Sequence, residues 1–199
     1  MLSVAYKNSV GTRRTAWRAV TAIEQKEESK GSKFLEIIHE YKEKVEAEVE
    51  SICGEIIKIL DDHLVPKAEN AESEVFYLKM KGDYCRYMAE CVGGDKNKRA
   101  QESAKDAYKK AQEKAESLDT TNPIRLGLAL NYSVFFYEIL NMQEQACKLA
   151  KNAFDSAIGD LEKLDDDKYK DSATIMQLLR DNLTLWTGDA GEDPEKDGN

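Results

Sequence analysis

Apolar residues recur at spacings of three and four along most of this chain, in seven runs separated by short polar or glycine-containing breaks. Such spacing is typical of helices that bury one side and leave the other in water. Only three prolines, Pro66, Pro123 and Pro194, occur among the 199 residues. Because helix breakers are scarce and good helix formers abundant, the chain is predicted to be all-α. Short loops between successive helices favour an antiparallel array.

The breaks between the runs locate the helices. Predicted helices cover about Leu2–Glu28, Lys33–His63, Ala71–Val92, Lys96–Ser117, Pro123–Leu140, Gln143–Leu164 and Lys168–Thr187. The dipeptide Asn122-Pro123 has the pattern of an N-cap followed by proline in the first turn. After Gly188 the chain carries five acidic residues, one lysine and no large apolar residue. Residues 1–188 are therefore predicted to form one helical domain, and residues 189–199 a disordered acidic tail.

Charge and cysteine content narrow the classes of function. The net charge of −9 disfavours general binding to nucleic acids or anionic membranes, whose phosphates would be repelled. No apolar run approaches the roughly 20 residues of a membrane span, and the first residues lack the apolar region of a signal peptide. The four cysteines show no metal-type spacing: Cys53, Cys85, Cys91 and Cys147. We expect reduced thiols in an intracellular protein.

Two predicted helices carry an asparagine beside apolar residues. In the last helix, Asn182 interrupts a stripe of Ile175, Leu178, Leu185 and Trp186. A buried amide costs roughly 1–3 kcal/mol unless it is hydrogen-bonded, so such a surface could hold the main chain of an extended peptide. The fifth helix repeats the pattern with Leu130, Asn131, Val134 and Glu138. An ordinary core-facing helix with an asparagine at its edge fits both patterns as well.

Basic residues recur two helical turns apart in two places. Lys7 and Arg14 share one face of the first helix, and Lys79 and Arg86 share one face of the third. Tyr87 adds a phenolic donor next to Arg86. If the two faces met, two guanidiniums, an ammonium and a phenol would suit one phosphate dianion. Solvated faces paired with Glu and Asp explain the same spacing, and sequence alone does not decide between them.

Signatures of enzymes are scarce. Glu36 and His39 match one Glu-x-x-His element of a di-iron bundle, but such sites need two copies and two further glutamates. His63 stands at a predicted helix end, where a capping role is expected. Phosphate-binding, nucleophile-elbow, zinc-protease and dinucleotide motifs do not occur in the sequence. The chain is expected not to be an enzyme and to need no metal or cofactor.

Taken together, these residues resemble the 14-3-3 family. The matching runs extend over nearly the whole chain: Leu2–Asn8, Gly11–Arg14, Trp17–Arg18, Ile23–Lys26, Val75–Tyr87, Pro123–Asn131 and Met176–Trp186. The resemblance implies a cup-shaped antiparallel helical array with an amphipathic groove. It also implies an adaptor that binds phosphoserine or phosphothreonine in client proteins and regulates their activity, location or interactions in signalling.

The resemblance assigns roles by position. It implies phosphate binding by Lys7, Arg14, Arg86 and Tyr87, and a peptide-backbone clamp formed by Asn131 and Asn182. The groove lining that it implies consists of Lys79, Leu130, Val134, Glu138, Ile175, Leu178, Leu185 and Trp186. A cytoplasmic location, with nuclear occurrence also open, is expected on the same basis.

The chain departs from the family pattern at its beginning. Family members start with two further helices, which form one side of a homo- or heterodimer interface. Tyr41, Lys44 and Glu48 match positions that contact this segment of the other subunit. We therefore expect weak or absent dimerisation and exposed apolar surface on the first two helices. The alternative function is a helical scaffold fragment with weakened or lost dimerisation and client binding.

Overall fold

The fold is all-α. The computed structural model describes residues 2–188, and within them no residue lies in a β-strand. The seven α-helices are α1 (Leu2–Glu28), α2 (Leu35–Ile59), α3 (Ala71–Cys91), α4 (Gly94–Ala115), α5 (Pro123–Val134), α6 (Gln143–Leu161) and α7 (Asp166–Gly188). The described residues divide into two compact units: a first unit of residues 2–68 and 80–107, and a second unit of residues 69–79 and 108–188.

An antiparallel hairpin of α1 and α2 forms much of the first unit. Trp17 donates its indole N–H to Glu46 at 2.9 Å, and Lys42 donates to Glu24 at 2.6 Å. Later residues of α1 therefore meet earlier residues of α2, which is the register of antiparallel neighbours. Apolar side chains on the inner face of the hairpin are buried: Val10, Val45, Val49, Cys53 and Ile56.

In the first unit, polar contacts join the end of α3 to the beginning of α4. The Asn97 side chain donates to the carbonyls of Ala89, at 2.6 Å, and Val92, at 3.1 Å, and so satisfies groups at the end of α3. The turn between the helices places Gly94 at φ 60°, which glycine adopts without steric cost. This end of α3 carries residues of the candidate site.

In the second unit, α5, α6 and α7 pack against one another. Asn122 caps α5, because its side-chain oxygen accepts from the backbone amides of Ile124 at 2.8 Å and Arg125 at 3.2 Å. The core of these three helices includes Leu126, Ala146, Ala150, Ala157, Leu161, Met176, Leu179 and Trp186. The buried hydroxyl of Ser172 on α7 donates to the carbonyl of Thr121 at 2.6 Å and ties α7 to the loop before α5.

The predicted helices all occur, with differences at their ends. The α-helical parts of α2 and α5 end early, and the chain continues in wider π-helical turns at Leu60–Leu64 and Phe135–Ile139. These turns keep helical dihedral angles, so hydrophobic spacing does not distinguish them from α-helix. The predicted acidic tail, 189–199, lies outside the described residues.

The structure also bears on membrane insertion and thiol chemistry. No helix within residues 2–188 has the length and apolar character needed to cross a membrane. All four cysteines are free, and burial raises the pKa of Cys53, Cys85 and Cys91 to about 12. These three thiols are therefore protonated at neutral pH and poor nucleophiles.

Candidate functional site

An open cationic cleft lies in the first unit. It has a volume of about 600 Å³ and is lined by Lys7, Asn8, Gly11, Thr12, Arg14, Thr15 and Tyr87. All except Tyr87 come from one face of α1, and Tyr87 comes from α3. The hydroxyls of Thr12 and Thr15 donate to carbonyls one turn back along α1, at 3.0 and 3.1 Å. Because Lys7 and Arg14 are its charged lining residues, the cleft is cationic, although the chain as a whole has an excess of acidic residues.

The Tyr87 ring organises two of the predicted phosphate-binding residues. The guanidinium carbon of Arg14 lies 4.0 Å from the ring centroid, and that of Arg86 lies 4.7 Å from it. Both distances are within the range of cation–π attraction. The edge-on packing of Tyr84, at 5.6 Å between ring centroids, holds the Tyr87 ring in turn. The structure thus brings Lys7, Arg14, Arg86 and Tyr87 to one place, as sequence spacing alone could not establish.

Carboxylates hold both arginines in position. Glu90 accepts from Arg14 Nε at 2.7 Å and also accepts from Arg18 Nε at 2.6 Å. Asp83 lies 3.7 Å from Arg86, and the Arg86 residue is only 7% exposed. Lys7 differs, because it is exposed and makes no ion pair with another residue between 2 and 188. Of the three cations, Lys7 is therefore the most accessible to an incoming anion.

Glu90 and Asp83 were not predicted from the sequence as parts of this site. A signal was present, since Asp83, Arg86 and Glu90 are spaced three and four residues apart and share one face of α3. The sequence left two alternatives for the basic faces, a phosphate site or pairing with acids, and treated them as exclusive. The structure contains a cationic cleft whose lining residue Arg14 is also paired with an acid. Arg86 contacts the Tyr87 ring beside the cleft and is likewise paired with an acid.

The second unit contains the α5 residues that the resemblance implies. Gly127 and Asn131 lie one turn apart on α5. A methyl group added at Gly127 would lie 3.6 Å from Lys79 Cε, so the stem of Lys79 runs against this turn. Leu130 and Val134 are half-buried against the core, and Glu138 is exposed in the π-helical turn that follows. The lysine stem and Asn131 therefore belong to one surface of the second unit.

Helix α7 has two faces, which corrects the single stripe predicted from sequence. Leu178 and Leu185 are 47% and 61% exposed, with the half-buried Asn182 between them. Trp186 is only 3% exposed and stacks on Tyr137 at 4.8 Å between ring centroids. Its side chain belongs to the core with Leu179, not to an open groove lining. Ile175 lies at the boundary, half-buried and packed against the core.

The remaining predicted residues lie on the α1–α2 hairpin. Tyr41 and Lys44 are exposed, and Glu48 accepts from Arg13 of the same chain at 3.1 Å. The hairpin also exposes several large apolar side chains: Leu2, Val4, Ile23, Phe34 and Ile37.

The sequence also raised a metal site at Glu36 and His39, but in the structure His39 pairs with two other glutamates. His39 Nδ1 lies 3.0 Å from Glu24, and Nε2 lies 3.4 Å from Glu43. Hydrogen bonding to Glu24 and the charge of Glu43 raise the pKa of His39. Across residues 2–188, no group of three or more His, Cys, Asp or Glu side chains is arranged to hold a metal ion.

The sequence of this chain is similar to those of known proteins. A sequence model described as "14-3-3 protein" matches residues 1–187. The rice protein named 14-3-3-like protein GF14-F is 59% identical over 195 residues, covering 97% of this chain and 75% of that protein. The Trichoderma harzianum 14-3-3 protein homolog is 57% identical over 98% of this chain and 76% of its own length. In Schizosaccharomyces pombe, the checkpoint signal transducer rad24 is 57% identical over 96% of this chain and 71% of its own length. On this evidence, the chain belongs to the 14-3-3 protein family.

Proposed function

We propose that this chain recognises a phosphorylated serine or threonine in its client proteins, and that Lys7, Arg14, Arg86 and Tyr87 hold the phosphate. Family membership makes the chain an adaptor that binds client proteins in signalling. The phosphorylated residue is bound at equilibrium and is not chemically changed. The observation that carries it is the cleft lined by Lys7, Arg14 and Tyr87, with Arg86 also against the Tyr87 ring.

The chemistry of a phosphate monoester matches this cleft. A phosphoserine carries a charge of about −1.5 to −2 near neutral pH and three strong acceptor oxygens. Arginine donates two parallel hydrogen bonds to such oxygens, whereas lysine acts as a mobile point charge. Arg14 is held by Glu90 and Tyr87, so it loses little side-chain freedom when an anion binds. Exposed Lys7 supplies a cation that no acid of residues 2–188 neutralises by direct pairing.

To the second unit we assign contacts with the client's main chain and apolar side chains. Asn131 and Asn182 each offer an amide with donors and an acceptor, which suits the N–H and C=O groups of an extended segment. Exposed Leu178 and Leu185 offer apolar area on the same helix as Asn182. Within residues 2–188, Asn182 makes no side-chain hydrogen bond, so an intramolecular partner does not have to be displaced.

The test compares matched phosphorylated and unphosphorylated peptides by isothermal titration calorimetry. Only the phosphorylated peptide is expected to bind measurably. Lys7→Glu is expected to weaken binding by about 100-fold or more, because it removes a charge-assisted hydrogen bond and adds repulsion. Lys98→Glu is the matched control, since it changes the net charge equally at an exposed position of α4. Equal losses in both variants, or equal binding of both peptides, would contradict the proposal.

A second variant separates charge from geometry. Arg14→Lys keeps the positive charge but removes the planar fork that contacts Glu90. Affinity is expected to fall by about tenfold, less than for Lys7→Glu, if the oriented guanidinium contributes beyond its charge. Unchanged affinity would show that a point charge suffices at this position.

A further inference from the structure

Arg18 extends the cationic face of α1 beyond the phosphate cleft. At about 100° of rotation per residue, Lys7, Arg14 and Arg18 fall within about 40° of one another around the helix axis. Arg18 lies one turn past Arg14, or about 6 Å farther along the helix. Its side chain is 58% exposed, whereas that of Arg14 is 17% exposed. The face that lines the cleft therefore continues to a third cation, which is open to solvent.

One carboxylate serves both arginines. The Oε2 atom of Glu90 accepts from Nε and Nη2 of Arg14, at 2.7 and 2.6 Å. Its Oε1 atom accepts from Nε and Nη2 of Arg18, at 2.6 and 2.5 Å. Each guanidinium thus occupies one oxygen of the same carboxylate. Because one negative charge does not neutralise two positive charges, this group of three side chains keeps a net positive charge.

Arg13 provides a contrast on the same helix. It pairs with Glu48 at 3.1 Å, and its side chain is 36% exposed. In that pair one arginine meets one carboxylate, so the two charges balance. Arg18 is more exposed than Arg13 and shares its acid with a second arginine. The excess of positive charge is therefore particular to the end of the cleft and is not a general property of the arginines on α1.

The Arg18 guanidinium also has donors left for a ligand. An arginine carries five N–H groups, and contact with Glu90 uses two of those on Arg18. The same contact fixes the direction of the planar group, so little side-chain freedom is lost when an anion binds. Arg18 thus combines an uncompensated charge, unused donors and a fixed orientation.

The geometry of an extended chain gives the spacing of a second anion. The cleft lining follows α1 from Lys7 to Thr15, so a segment that follows the cleft runs along this helix. An extended chain advances about 3.3 Å per residue, and alternate side chains point to the same side. Two residues therefore span about 6.6 Å, which matches the rise of about 6 Å between Arg14 and Arg18.

We propose that Arg18 binds a second anionic side chain of the client, two residues away from the phosphorylated serine or threonine. The second anion is a carboxylate or another phosphate, since both accept hydrogen bonds from guanidinium N–H groups. This inference rests on the proposed recognition of phosphate in the cleft. It adds a preference within the class of phosphorylated clients.

The test starts from one phosphoserine peptide with alanine at the neighbouring positions, and moves a single glutamate through four positions on either side. Calorimetry should show affinity rising about two- to fivefold at position −2 or +2, at one of them only, and no rise at −1 or +1. A second phosphoserine at the favoured position should raise affinity about tenfold, because its charge is larger. The protein's net charge of −9 disfavours added negative charge in a ligand, so a gain at one position reports a local contact.

Variants separate a direct contact from a structural role. Arg18→Gln should bring the ratio of affinities for the glutamate and alanine peptides to about one, and Arg18→Lys should keep part of the gain. An Arg18 that acted only through Glu90 would change both affinities equally and leave their ratio intact. Arg13→Gln is the matched control, because it removes the same charge from the same helix. In that variant the ratio should equal that of the unmodified chain.

The outcomes distinguish this inference from the proposed function. If the singly phosphorylated peptide does not bind, phosphate recognition itself is contradicted. If that peptide binds but glutamate gives no gain at −2 or +2, only the role of Arg18 is overturned. A gain that survives Arg18→Gln, or one that is lost equally in Arg13→Gln, would overturn that role as well.

Discussion

The two faces of α7 can be separated by one pair of matched substitutions, Leu179→Ala and Leu185→Ala. Both remove the same atoms from the same helix, so the change in helix propensity is equal. Leu179 is completely buried in the core of α5, α6 and α7, whereas Leu185 is 61% exposed. Any difference in stability between the two variants therefore reports the difference in burial.

The magnitude follows from the cost of a cavity. Replacing a fully buried leucine by alanine costs about 2.7–5.0 kcal/mol, from lost transfer energy and the space left behind. Exposed substitutions usually change stability by about 0.5 kcal/mol or less. For a chain of this size, 1 kcal/mol corresponds to roughly 2–4 °C in the melting temperature. Leu179→Ala should thus lower the melting temperature by about 5–20 °C, and Leu185→Ala by about 2 °C or less.

Peptide binding should show the opposite order. If a client covers Leu185, truncation removes part of the roughly 1.5–3 kcal/mol gained by burying a leucine, and affinity falls about tenfold. Leu179→Ala should leave affinity nearly unchanged below its melting temperature. Calorimetric melting and titration with one phosphopeptide measure both quantities on the same samples. Equal destabilisation by the two variants would refute the division of α7 into a core face and an open face.

Three further predictions test local features of the fold and its charges. Asn122→Ala removes the N-cap of α5 and should lower the free energy of unfolding by about 1 kcal/mol in urea titrations, whereas Asn122→Asp should retain most of it. Ser172→Ala leaves the buried carbonyl of Thr121 without its donor and should cost about 1–3 kcal/mol by the same measurement. In NMR titrations, Glu24→Gln should lower the pKa of His39, because hydrogen bonding to Glu24 is the largest cause of its increase. Because the pKa of His39 is raised, its contribution to stability is present at acidic pH and is lost as the pH rises through the pKa of His39. Because the pKa of Glu24 is lowered, its contribution is lost as the pH falls through the pKa of Glu24.

Much of the fold follows from hydrophobic spacing because each helix is long and sharply ended. The predicted α1 has the bounds that the structure gives, and Asn122 caps α5 as its Asn-Pro pattern predicts. The wider turns after Ile59 and Val134 were not predictable by the same means. Apolar spacing in the sequence shows which residues are buried. It does not show where i→i+4 hydrogen bonding changes to i→i+5, because both kinds of turn use the same residue types.

The error on α7 has a geometric cause. Successive residues on a helix are rotated by about 100°, so Trp186 lies only about 20° from Leu179 but about 100° from Leu185. Grouping Trp186 with Leu185 because both are large and apolar ignored this rotation. Sorted by angle, the sequence itself places Trp186 on the side of the buried Leu179 and Met176. Asn182 then falls between that side and the exposed leucines, which is where an amide can reach both solvent and a bound chain.

The cationic cleft illustrates what spacing cannot provide. Lys7 and Arg14 are seven residues apart and could be placed on one face from sequence, but Glu90 is 76 residues from Arg14. Only the fold brings that carboxylate within 2.7 Å of the guanidinium. Glu90 therefore orients the Arg14 guanidinium before any ligand binds, because it pairs with one side of that group. A net charge of −9 is therefore compatible with a cationic cleft: two of the acids that make the chain negative overall also hold its arginines in a fixed direction, while exposed Lys7 is paired with no acid of residues 2–188.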